Sequence, residues 1–122
     1  KGNLLLTRRA KEKSFPGTWE NSGGAVQAGE TSRQAIAREL FEETGIRAEP
    51  EEFELLDTDQ ERNMFYDHYC LKRRVRLKDV ILLPGETVDK RYVNIDELKS
   101  LYRNKELVPY AYLEDFLSKL NV

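Results

Sequence analysis

Apolar positions in this chain fall into short clusters separated by charged stretches, and their spacing alternates between strand-like and helix-like periods. Leu4-Leu5-Leu6-Thr7 predicts a buried strand over residues 4–8. Residues 10–24 predict a loop punctuated by Pro16, Gly17, Gly23 and Gly24, followed by a short strand-like step at Ala25-Val26. A helix is predicted from about Ser32 to Thr44, with Thr31 and Gln34 as a capping box and Gly45 where a helix usually stops. Aromatic and apolar residues from Met64 to Leu71 predict a strand, and a second is predicted around Val75 to Leu83. Pro84-Gly85 makes a turn before a short strand at Arg91-Tyr92-Val93 and a short helix from Asp96 to Leu101. A last helix, from about Pro109 to Leu120, carries Leu113, Phe116, Leu117 and Leu120 on one stripe. Strands mixed with helices able to cover a sheet give an α+β class.

Bulk properties narrow the function classes. The 122 residues suffice for a single domain spanning residues 1–122, and no repeat or linker divides them. Twenty basic residues against 22 acidic ones leave a net charge of -2, which argues against coating extended nucleic acid. A small nucleotide stays open, since a small site needs only local cations. Cys70 is the sole cysteine, so an intrachain disulfide is excluded. Runs such as Val80-Ile81-Leu82-Leu83 are too short to span a bilayer, and no signal peptide is visible, so a cytoplasmic location is expected. Lys1-Gly2-Asn3 reads like the tip of a turn, so a hairpin partner for the first strand is expected to precede it. A sheet edge left open by that strand would admit pairing, and a homodimer with it.

The chemistry concentrates between Gly23 and Ile46. On the predicted helix, Ile36, Ala37, Leu40 and Phe41 share a broad apolar face, and Glu39, Glu42 and Glu43 fall on an adjoining arc. Like charges this close cost about 1–3 kcal/mol per pair, and the dipole at that end of the helix disfavours anions. Two readings follow: a solvated acidic face, or a site for a hard cation such as Mg²⁺ or Mn²⁺. Gly23 and Gly24 would let backbone approach such a site closely.

Gly24, Glu30, Arg38, Glu39, Leu40, Glu42, Glu43, Gly45 and Ile46 fill every position of the pattern G-x5-E-x7-R-E-U-x-E-E-x-G-U, where U is bulky and aliphatic. The chain thereby resembles the Nudix (MutT-like) hydrolase family. Upstream Leu5 to Ala10 and Phe15 to Glu20, and downstream Pro84-Gly85-Glu86, Arg91-Tyr92-Val93 and Asp96-Glu97-Leu98, are also similar to that family. The resemblance implies an α/β/α sandwich on a mixed sheet, its first N-terminal strand missing from this chain. It implies a metal-dependent pyrophosphohydrolase that cuts the diphosphate linkage of a small phosphorylated substrate, such as a nucleotide derivative, with water activated by Mg²⁺ or Mn²⁺.

Site residues carry over position by position. Glu39, Glu42 and Glu43 match the family's metal-binding carboxylates, with the Gly23 carbonyl as a further ligand. Glu30 and Arg38, with Gly24 and Gly45, match positions that support the loop and helix. Glu86 matches a loop glutamate that in some members binds metal or acts as general base, so either Glu42 or Glu86 would take the proton of the attacking water. Arg9 would meet substrate phosphates, or else stand as an exposed strand-end cation.

Other readings are weighed by the same residues. The resemblance extends in part to a prenyl-diphosphate isomerase, through Phe15 to Ser22. That enzyme's catalytic cysteine and metal-binding histidine would fall where this chain has Gly23, Gly24 and Ala25. A non-catalytic nucleotide-binding module would typically lack a metal-ligand glutamate, and here all are kept. No phosphate-binding glycine loop with its lysine is present. His68 and Cys70 stand two apart without a second such pair, which does not make a zinc site. Trp19, Phe65, Tyr66 and Tyr69 read as packing or as pocket walls, and Glu49 to Glu52 as a solvated turn.

Overall fold

The computed structural model describes residues 3–61 and 64–109. The elements are β1 (Leu4–Arg9), β2 (Trp19–Glu20), α1 (Ser32–Thr44), β3 (Glu54–Glu61), β4 (Met64–Cys70), β5 (Thr87–Val93) and α2 (Ile95–Arg103). Single 3-10 turns stand at Pro50–Glu52 and Leu77–Asp79. The architecture is α+β. The helix expected from Pro109 to Leu120 lies, beyond Pro109 itself, outside the described residues.

β1 is the middle strand of a sheet ordered β2-β1-β5, with both pairings antiparallel. Beyond β2, Trp19 bridges Leu107 in parallel: its N–H donates to the Glu106 carbonyl at 2.8 Å and its carbonyl accepts from Val108 at 3.0 Å. That single parallel bridge lies outside the named strands, whose pairings in this sheet are both antiparallel. On its covered face, Leu6, Trp19 and Val93 meet Leu98 and Leu101 of α2, together with Leu107. Leu98 and Leu101 are three apart and therefore share one helical face. Burying each contributes about 1.5–3 kcal/mol. α2 starts where it does because Asn94 and Glu97 cap each other, at 2.8 and 3.0 Å.

The helix α1 has the bounds that its caps predict. Thr31 and Gln34 bond reciprocally, and Gly45 takes a left-handed φ of 77°, which a side chain would strain. An added Cβ at Gly45 would also stand 2.9 Å from the Ile81 side chain.

Two expected strands are absent, for stated reasons. From Val75 to Leu83 the backbone donors go elsewhere: Asp79 to Arg76, Val80 to Leu77, and Ile81 to the Thr44 carbonyl at the end of α1. A segment closing its own turn and docking on a helix end has no such donors left for a ladder. Ala25-Val26 is likewise not a strand. Val26 is exposed, and the Ala25 carbonyl accepts from Arg38. Conversely, β3 forms from residues that are poor strand formers, because it pairs along its length with the aromatic β4. Among the described residues, no helix is long and apolar enough to cross a membrane.

Candidate active site

Arg38 is the hub of the charged arc on α1. Its guanidinium donates to Glu30 Oε1 at 2.7 Å and Glu30 Oε2 at 3.2 Å, to Glu39 Oε1 at 2.7 Å and to Glu42 Oε1 at 3.3 Å. The hydrogen bonds from Arg38, then the Gln27 N–H, hold the Glu30 carboxyl below its ordinary range. The Arg38 guanidinium is raised in turn, chiefly by Glu30 and Glu39. Repulsion between Glu39 and Glu42 is therefore largely offset within the chain, by a guanidinium that neither the solvated-face nor the cation reading had invoked. Each of the two engages Arg38 through Oε1.

Glu43 is the exception. It stands seven residues after Ile36 and three after Leu40, a spacing that carries it onto the inward face rather than the acidic arc. The residue is 9% exposed, and its Oε1 is buried with no hydrogen-bond partner. Burial, then the charges of Glu20 and Glu39, push its carboxyl up to about 8, with the Ser22 hydroxyl and Gly23 N–H pulling the other way. Phe41, expected on the apolar face, is 40% exposed under the Arg47 guanidinium, 4.2 Å away. The inward stripe thus trades an aromatic ring for a carboxylate.

The loop after β2 explains the glycine pair. A Cβ at Gly24 would stand 2.3 Å from Glu39 Cδ, so backbone passes against that carboxylate as only glycine allows. Gly23 reaches Glu43 through its N–H. Glu20, at the end of β2, is 8% exposed and accepts from Arg9 Nη1 at 2.8 and 3.1 Å. Arg9 also donates to the Ser14 carbonyl and hydroxyl at 2.6 and 2.9 Å. Arg9 is therefore not the exposed cation that one reading allowed, and the other reading meets a guanidinium engaged inside the chain. Glu86 pairs with Lys13 at 2.7 Å on a separate loop, its carbonyl accepting from Ala10. Sequence reasoning missed Glu20 and Ser22. Residues 10–24 read as a loop, so the sequence carried no signal for the strand Trp19–Glu20 that buries Glu20.

The residues fit a hard divalent ion in chemistry, since every donor is oxygen. Glu43 offers an orphaned buried oxygen and Gly24 cradles Glu39. Among the described residues no three acidic, histidine or cysteine groups already converge as ligands do, so Glu39 and Glu42 would have to turn from Arg38 to share an ion.

Comparison with known proteins places this geometry. The chain is 32% identical over 123 residues to an uncharacterised Nudix hydrolase of Listeria monocytogenes, covering 99% of this chain and 73% of that protein. A CTP pyrophosphohydrolase of Escherichia coli is 47% identical over 47 residues, 38% of this chain and 35% of that one. A crystal structure from Deinococcus radiodurans superposes with a TM-score of 0.77 at 23% identity, covering 99% of this chain and 76% of its own, and supports the fold alone. The family profile described as the NUDIX domain matches residues 1–116. On that span, and on an arginine-braced helix that buries one glutamate against a glycine pair, the chain belongs to the Nudix family.

Proposed function

We propose that this chain hydrolyses the diphosphate linkage of a nucleoside diphosphate derivative, using Mg²⁺ or Mn²⁺ held by Glu39, Glu42 and Glu43 with the Gly23 backbone. One observation carries the reading: the buried Oε1 of Glu43, unpartnered and flanked by the charges of Glu20 and Glu39. A buried carboxylate without a partner is costly, and a cation at that oxygen removes the cost. When bound, such an ion supplies positive charge against the diphosphate and lowers the pKa of a water.

The chain's own residues do the rest. Arg38 and Glu30 brace the loop against the helix, and Glu39 and Glu42 turn from Arg38 to take the ion. Glu42, with a side chain 51% exposed on the same helical turn, takes the proton of the attacking water. Glu86 is the less favoured base, because Lys13 already holds it. Arg9 stays with Glu20, so substrate phosphates are met by other groups. The resemblance to a CTP pyrophosphohydrolase supports a nucleotide as the substrate class.

The test is a metal-dependent activity screen over nucleoside diphosphate derivatives, run beside Glu43→Gln. The expected result is hydrolysis with Mg²⁺ or Mn²⁺ that EDTA abolishes and Glu43→Gln loses. Hydrolysis that is indifferent to both would refute the reading.

A further inference from the structure

β1 pairs with β5 along its length, but β2 covers its other edge only at Thr7 and Arg8, and the chain leaves the sheet at Asn21. Among the described residues, no named strand covers that edge from Leu4 to Leu6. β4 pairs with β3 alone, so its second edge is uncovered as well. Between the two lies a cavity of about 220 Å³, lined by Leu4, Leu5 and Leu6 from β1 and by Tyr69, Cys70 and Leu71 from the end of β4. Side chains alternate along a strand. A cavity that meets three consecutive residues of each therefore runs along their edges, where main-chain groups stand.

Apolar side chains close this slot above and below. Leu98 of α2 and Leu107 line it from the face of β1 that carries Leu4 and Leu6. Ile36 and Leu40 of α1 line it from the opposite face. Tyr92 and Lys90 share that face with Leu5, bond the carbonyls of Val75 and Val80, and so lead to Ile81, which docks on the end of α1. The Tyr69 wall is fixed in advance, its hydroxyl bonded to Ser32 at 2.6 Å and its ring under Arg33. At one end the slot reaches Asn21 and Ser22, and Ser22 contacts Glu43, which follows Leu40 by three residues on the same inward stripe.

Apolar lids with main-chain donors and acceptors at the sides suit a flat ring that carries polar atoms in its plane. A hydrocarbon chain would leave those buried main-chain groups without partners. The volume is below the roughly 300–1,000 Å³ of pockets that enclose a whole ligand, so the slot admits one ring system. We propose that it receives the base of the substrate nucleotide, edge-on between β1 and β4, and so determines which substrate is cut. Sugar and diphosphate stay outside, at the Ser22 end beside Glu43. The proposal rests on the hydrolase reading and deepens it, through residues that lie, apart from Ile36 and Leu40, outside the motif-bearing segment.

The test has two arms, both on the full chain. Cys70, the sole cysteine, lines the slot and reports its occupancy. In EDTA, at least one of adenosine, guanosine, cytidine and uridine at millimolar concentration should slow alkylation of Cys70 by iodoacetamide about threefold or more, and ribose should not. Protection by none of the four overturns the proposal, as does protection by isopentenol alone, which would make the slot a hydrocarbon site. In the second arm, the substrate found by the activity screen should be cut with kcat/KM about a hundredfold above its counterpart without a base. Equal values overturn the slot and leave the hydrolase reading intact. No hydrolysis of any compound sinks the hydrolase reading and the substrate role with it, while protection of Cys70 would still mark a nucleoside site. Ile36→Phe, which fills the slot from the helix side, should abolish both protection and preference. A folded variant that keeps both refutes the proposal, and if it fails to fold the two wild-type arms decide.

Discussion

Gly24 packs on Glu39 with no room between them: a Cβ on Gly24 would stand 2.3 Å from the Glu39 Cδ atom. The clashing atoms are the end of a flexible side chain, so Glu39 can swing aside. Gly24→Ala should therefore change unfolding free energy by less than about 1 kcal/mol. The same swing removes Glu39 from the site, so Mn²⁺ affinity should drop about 10–100-fold. Denaturant titration paired with Mn²⁺ binding checks both. An alanine variant that binds Mn²⁺ normally would show that the close approach has no functional purpose.

Glu43→Gln removes a carboxyl that the metal-free protein can ionise only at a cost. Its turnover should fall at least about a hundredfold while the metal-free fold persists. In EDTA at pH 8 the variant should be as stable as wild type or more so, since the orphaned oxygen no longer carries charge. Circular dichroism melts beside steady-state kinetics would decide. A variant that loses both stability and turnover would point to a structural glutamate.

The pH dependence follows from the same group. Folding raises the Glu43 carboxyl from 4.5 to about 8, so between those values the folded state binds a proton that the unfolded chain releases. Stability of the metal-free protein should then fall as pH rises through that window and level off above it, with a slope of up to about 1.4 kcal/mol per pH unit. Metal competes with that proton, so apparent Mn²⁺ affinity should climb with pH and flatten near 8. Glu43→Gln should flatten both profiles. Wild-type stability equal at pH 5 and pH 8 in EDTA would contradict the argument.

What the sequence disclosed and what it withheld have physical causes. The caps Thr31 and Gly45 are local devices, and they fixed α1 to the residue. Fixed spacing likewise brought Arg38 to Glu39 and Glu42, neighbours on one helix. β3 was hidden because its stability comes from β4, not from its own acidic residues. The segment from Val75 to Leu83 looked like a strand by composition, but its donors answer a turn and the end of α1. Glu20 and Arg9 were illegible as a pair, because residues 11 apart meet only when β1 and β2 zip together. The inward position of Glu43 was legible all along, in its spacing from Ile36 and Leu40, once the stripe rather than the acidic arc is followed.

That Arg9–Glu20 pair also makes a claim about stability. The two side chains are 13% and 11% exposed and joined at 2.8 Å, so the solvent that weakens surface ion pairs is mostly excluded. Arg9→Met leaves Glu20 buried without its counter-charge and strands the Ser14 hydroxyl, which should cost about 3–5 kcal/mol. Adding Glu20→Gln to Arg9→Met removes the stranded charge, so the double variant should recover a large part of the loss. Urea unfolding in EDTA measures both. An Arg9→Met protein within about 1 kcal/mol of wild type would mean that Glu20 finds water or another cation, and the clamp on the sheet side of the site would have to be abandoned.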